Sequence, residues 1–191
     1  EEHIGFCNVL YFALLWRLND LCPTKPWFLV FGTSYVHYFR YMNTYHHASR
    51  QVSAGRFRRD AFLYKSCAML WLAYYYTNGF SISTFDPDPL SLIVAAIGFG
   101  ISTLAMKALG MDATYFGVEL DVAKPRWITD FPYGVIPHPM IVGQIIGILG
   151  LYISAQFRAQ APYMALGHIG LYLVHMAQEN FFLPSKYGKI D

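Results

Sequence analysis

Charge is what this sequence has least of: 14% of its 191 residues are Asp, Glu, Lys or Arg, against about 25% in an ordinary soluble domain. Apolar residues make up 55% and aromatics 18%. That shortfall points to a chain seated in a membrane, yet a mean hydropathy of +0.30 is too low for spans alone. Polar segments therefore fold around the apolar ones. A net charge of +2 argues against the basic stripe that a nucleic-acid partner requires. Three cysteines, Cys7, Cys22 and Cys67, with no Cys-x-x-Cys, argue against a disulfide framework or a zinc site. They read as small buried apolar residues, and no metal site is expected. The chain opens Glu1-Glu2-His3, as expected of a processed or incomplete N-terminus, and a targeting segment is not readable.

What is present is a series of apolar windows of about 19 residues. Residues 90–109 are apolar until Lys107, 140–157 carry no charge, and 61–76 are broken only by Lys65. Residues 162–177 hold His168 and His175 and read as a span packed against other helices. Residues 4–16 and 27–42 are weaker: the first is short, and the second carries His37 and Arg40. The expected fold class is all-α integral membrane, a multi-pass bundle of about four to five transmembrane helices. Residues 1–60 are expected to form an interfacial or membrane-embedded helical region, and residues 61–191 the transmembrane domain. Gly143 and Gly147, with Gly150 one turn on, form a small-residue face for helix packing.

The linkers set the topology. Asp86-Pro87-Asp88-Pro89 is a turn by its prolines, and it carries no basic residue. Across the 61–76 window, residues 50–59 contain Arg50, Arg56, Arg58 and Arg59. The positive-inside rule puts them on the side of the cytosol, stroma or matrix, with the endoplasmic reticulum or an organellar membrane as the setting. Following the spans, residues 111–138 and the end of the last helix, with Lys186 and Lys189 beyond it, return to that basic face.

The 111–138 segment is longer than an ordinary connector, and such loops tend to be functional when they are not disordered. Tyr115, Phe116, Trp127, Phe131 and Tyr133 argue for a structured loop before the penultimate helix. Tyr115-Phe116-Gly117, the run Phe131-Pro132-Tyr133-Gly134-Val135-Ile136, and His138-Pro139 leading into a glycine-bearing apolar helix resemble the membrane-bound lipid methyltransferases. These are the phosphatidylethanolamine and phospholipid N-methyltransferases, the plant and algal ones above all, and more distantly isoprenylcysteine carboxyl methyltransferase. The resemblance covers residues 90–184.

It implies S-adenosylmethionine as cofactor and a membrane lipid as substrate. Carried over by position, it places the family's Gly-x-Gly step at Gly98-Phe99-Gly100, its His-Pro element at His138-Pro139, and its acidic pair at Glu179-Asn180. One carboxylate of that pair is replaced by an amide. In an apolar helix the two glycines serve equally well for close packing. The chemistry of the residues is compatible with the cofactor. Glu179 can accept from an ammonium or ribose hydroxyls, and His138, with Arg126 or Lys124, can donate to a carboxylate. Tyr133, Phe131 or Tyr115 can face a sulfonium. His138 or Glu179 can take the proton from an amine nucleophile.

Two other classes compete with this reading. His37, His46 and His47 suggest the histidine boxes of a membrane di-iron enzyme, but the gap is too wide and no second box follows. A non-catalytic subunit that packs into a larger membrane complex is the rival reading. It is motivated by the incomplete acidic pair and by aromatic surface of the kind found at interfaces.

Overall fold

The computed structural model describes Ala13, Arg17 and residues 53–115, 117–118, 122–124 and 126–182. The two weaker N-terminal windows, most of the 1–60 region and the lysines of the tail lie outside these residues. Among the described residues the fold is helical, without strands. Its elements are α1 (Ala54–Tyr76), a 3-10 turn (Ile82–Thr84), α2 (Pro89–Leu109), α3 (Met111–Thr114), α4 (Pro139–Ile153), α5 (Ala155–Gln160) and α6 (Pro162–Phe182).

Each boundary has a local cause. Helix α1 stops where Asn78, Gly79 and Phe80 take positive φ in succession, and the Gly79 amide closes back on the Tyr74 carbonyl at 2.8 Å. Asp88 caps α2, its carboxylate accepting from the amides of Leu90 at 2.9 Å and Ser91 at 3.3 Å. Pro89 fills the first turn, where a missing N–H costs nothing. The apolar window at 140–157 is not one helix. Ser154 leaves the helical conformation and caps α5 through its hydroxyl, which accepts from the Phe157 amide. The Arg158 guanidinium donates to the Tyr152 and Ile153 carbonyls that α4 leaves open.

Helix α2 is built inside-out relative to a helix of a soluble protein. Its buried residues are Ser91, Ala95, Gly98, Ser102 and Ala105, all small. Its exposed ones include Leu90, Leu92, Ile93, Ile97 and Leu104. Water would reverse that order. In lipid, large apolar side chains gain nothing by turning inward, and small residues let backbones approach. With 21 residues the helix rises about 31 Å, close to the hydrocarbon thickness of about 30 Å. Among the described residues it alone is long and apolar enough to cross a membrane. Helix α4 has 15 residues, and α1 and α6 carry charged or histidine side chains that dilute their hydropathy.

Helices α2 and α4 form the most extensive contact, and they run antiparallel. Gly98 lies against Gly143 and Gly147, and Ala95 against Gly150. Ser102 meets Gln144. Helix α6 runs antiparallel to α4 in turn, with the Tyr172 hydroxyl donating to the Gln144 side-chain oxygen at 3.3 Å. Helix α1 joins at both ends. Arg58 pairs with Asp112 beyond the end of α2, and Tyr76 meets Ser91 at 3.0 Å near its start. The arginine-rich start of α1 and the loop after α2 therefore share one end of the bundle.

Candidate functional site

The antiparallel register decides which loop-borne and helix-borne groups meet. Six residues separate Gln144 from His138, about 9 Å of helix rise, and seven separate Tyr172 from Glu179, about 10 Å in the same direction. The start of α4 and the Glu179–Asn180 turn of α6 thus stand level at the Arg58–Asp112 end. Counted along α2 in the same way from Ser102, that level falls at Ala108, in the last turn.

His138 has φ 46° and ψ 52°, a left-handed conformation that side chains seldom adopt, though His, Asn and Asp do so more than most. The proline that follows it disfavours the right-handed helical region. Its carbonyl still begins the helix, accepting from the Ile141 and Val142 amides, each at 3.0 Å. Pro139 is buried under the bundle, as is Pro132, while His138 and Tyr133 are half-buried. Between them the chain turns tightly: the Val135 and Ile136 amides both donate to the Pro132 carbonyl, at 3.2 and 2.9 Å. Gly134 sits so close to the Thr129 carbonyl that a Cβ there would collide with it. Two buried prolines thus bracket a tight turn that carries Tyr133 and leads on to the helix start at His138.

The other predicted residues are placed as follows. The Arg126 guanidinium donates to the Ala108 carbonyl at 2.7 Å, satisfying one of the open acceptors at the end of α2. Lys124 is exposed, Tyr115 is buried and Phe131 is exposed. Gly98 and Gly100 are not brought to this end. Gly98 lies level with Gly147, about 13 Å of helix rise below His138, and its missing side chain is what lets the two backbones touch. Gly100 faces open space.

The sequence reading missed a buried polar chain beneath the site. Gln144 donates to the Ser102 hydroxyl at 2.8 Å and accepts from Tyr172, all three being buried. The available signal was an amide midway along a charge-free apolar run, since polar groups in such helices pair with one another.

Comparison with known proteins gives the family of the chain. Residues 89–190, from the first residue of α2 onward, match the model of the phospholipid methyltransferase family. The chain belongs to that family. Over 72 residues it is 36% identical to a phosphatidyl-N-methylethanolamine N-methyltransferase of Arabidopsis thaliana, a stretch that is 37% of this chain and 43% of that protein. The chain thus matches less than half the length of this relative. No solved structure gives a significant match. Family membership and the lipid-facing surface of α2 together make this phospholipid methyltransferase family member a membrane protein.

Proposed function

We propose that the chain is an S-adenosylmethionine-dependent methyltransferase acting on the amino headgroup of a membrane phospholipid. The observation that carries this reading is the register that sets His138 level with Glu179 at the basic end of the bundle. The donor set there suits the cofactor: an acidic residue, an imidazole and a phenol ring on a turn that Gly134 keeps tight. Tyr133, His138, Pro139, Glu179 and Asn180 would hold it, and Gly98 and Gly100 would act in or beside the helix seam. When bound, S-adenosylmethionine supplies an electrophilic methyl group on a cationic sulfur.

The protein's own groups do the rest. Glu179 would accept from the cofactor's ammonium, and Tyr133 would present an aromatic face to its positive charge, a contact worth about 0.5–2 kcal/mol. The His138 imidazole takes the proton that an ammonium headgroup must lose before its nitrogen is nucleophilic. Holding amine and methyl in line is then the main source of rate. Helices α1, α4 with α5, and α6 would lie in the membrane beside α2, giving a multi-pass bundle.

The test is calorimetric titration of the detergent-purified protein with S-adenosylmethionine, using His138→Gly and Glu179→Gln. Glycine is the right replacement because it takes the left-handed backbone freely, whereas alanine would keep the Cβ crowding that histidine already bears there. Micromolar binding that weakens in both variants supports the site. Unchanged binding in both removes these residues from it.

A further inference from the structure

The loop between α2 and α4 hides its prolines and exposes its large apolar side chains. Pro132 and Pro139 are buried, yet Trp127 is 81% exposed, Val135 74% and Phe131 57%. A solvent-facing turn in a water-soluble domain would present polar residues at such positions. Its depth is fixed by one bond: Arg126, next to Trp127, donates to the Ala108 carbonyl in the last turn of the spanning helix. That turn also carries exposed Lys107, a side chain that reaches from a span end to the headgroups. Trp127 therefore sits where α2 leaves the hydrocarbon. The exposed apolar surface of α2, from Leu90 through Leu104 to Met111 just past its end, runs up to the same boundary.

We infer that residues 126–135 are seated in the phospholipid interface, with Trp127, Phe131 and Val135 embedded at the level of the headgroups and upper acyl chains. Tryptophan is enriched at that depth, where an apolar ring and a polar N–H are both accommodated. The occupant of this surface is the bilayer itself, because the Arg126–Ala108 bond sets the patch at the end of α2, whose exposed apolar surface runs up to the same level. The seat is held by apolar contact rather than by charge. The charges around it, Arg58, Arg59, Lys107, Lys124 and Arg126 against Asp112 and Asp130, leave that end basic, but none of them belongs to the apolar seat, so zwitterionic lipid suffices and added salt does not release it. Tyr133 lies between Phe131 and Val135, so a lipid drawn sideways from the same leaflet reaches Tyr133 and His138 without leaving the membrane. The seat is independent of the methyltransferase reading; the delivery of substrate rests on it.

The experiment is fluorescence quenching in phosphatidylcholine vesicles by lipids brominated either high or low on the acyl chain. Trp127 is made the sole tryptophan by Trp16→Phe, Trp27→Phe and Trp71→Phe. Should that variant not fold, the difference in quenching between the wild type and Trp127→Phe gives the same reading. The expected result is loss of Trp127 emission to the shallow bromines, smaller loss to the deep ones, and no change on adding salt. Quenching by neither set overturns the inference: aqueous acrylamide then quenches a ring in water and spares one covered by another protein chain. Stronger quenching from the deep bromines overturns it too. For the delivery step, Trp127→Asp should lower methylation of vesicle lipid while leaving S-adenosylmethionine affinity unchanged. Equal methylation by Trp127→Asp and wild type overturns delivery alone. A wild-type protein that binds no S-adenosylmethionine removes the methyltransferase reading, and the quenching result stands apart from it.

Discussion

The Gln144 amide donates to the Ser102 hydroxyl across the α2–α4 seam at 2.8 Å, a buried side-chain bond in a seam that also holds the Ser91 hydroxyl on the Gly150 carbonyl at 2.7 Å and is lined elsewhere by small residues. With the Tyr172 hydroxyl on its other side, one side chain ties together three helices. A Gln144→Leu, Ser102→Ala double-mutant cycle should return a coupling of about 0.6 kcal/mol, with about 1.7 as the ceiling seen for such bonds in membranes. Reversible unfolding in mixed micelles measures it, and additive effects of the two substitutions would mean the bond contributes nothing.

The two glycines of the Gly98-Phe99-Gly100 step should behave oppositely. A methyl group on Gly98 runs into the backbone of Gly147, and backbone cannot swing aside, so Gly98→Ala should cost at least about 2 kcal/mol, in the upper part of the usual range for point substitutions. Gly100 has no neighbour within 4 Å, and Gly100→Ala should be neutral or stabilising by up to about 1 kcal/mol through helix propensity. Thermal unfolding of the two variants checks both directions.

Gly134→Ala should separate the site from the scaffold. The added methyl group meets the Thr129 carbonyl in a loop outside the helix seams, so the turn carrying Tyr133 must shift while α2, α4 and α6 keep their contacts. The expected outcome is unchanged far-ultraviolet dichroism with S-adenosylmethionine affinity lowered about tenfold, the ~1.4 kcal/mol that one displaced contact is worth. Retained affinity would show that this turn is not part of the binding site.

Much of this arrangement was legible in the sequence because lipid leaves a coarse imprint. The apolar windows at 61–76, 90–109 and 162–177 coincide with helices, and the placement of the arginines and of residues 111–138 at one end is realised by the Arg58–Asp112 pair. The glycine face of α4 is where α2 packs. The break at Ser154 was not legible, since serine is tolerated inside a span and its capping role depends on where Phe157 packs. Nor was the level of Gly98 relative to His138, because register between helices is set by side-chain fit and not by either helix alone. His138 stood out through its neighbouring prolines, but its left-handed backbone emerged only from the fold. Gln144 was visible as an anomaly, yet its two partners lie 42 and 28 residues away.

The shortness of α4 has a consequence for the surrounding bilayer. Its 15 residues rise about 22 Å, and it is held at one end by the His138–Pro139 start and at the other by Ser154 and Arg158. Helix α2 beside it overreaches it at both ends by about a turn. In the proposed multi-pass arrangement, with α4 in the membrane up to its break at Ser154, the two helices would present different hydrophobic thicknesses to the lipid. The bilayer would compress on the α4 side to meet the shorter one, at fractions of a kcal/mol per Å of mismatch. That compression would sink the headgroups of the adjoining leaflet toward His138 and give the protein a preference for thinner membranes.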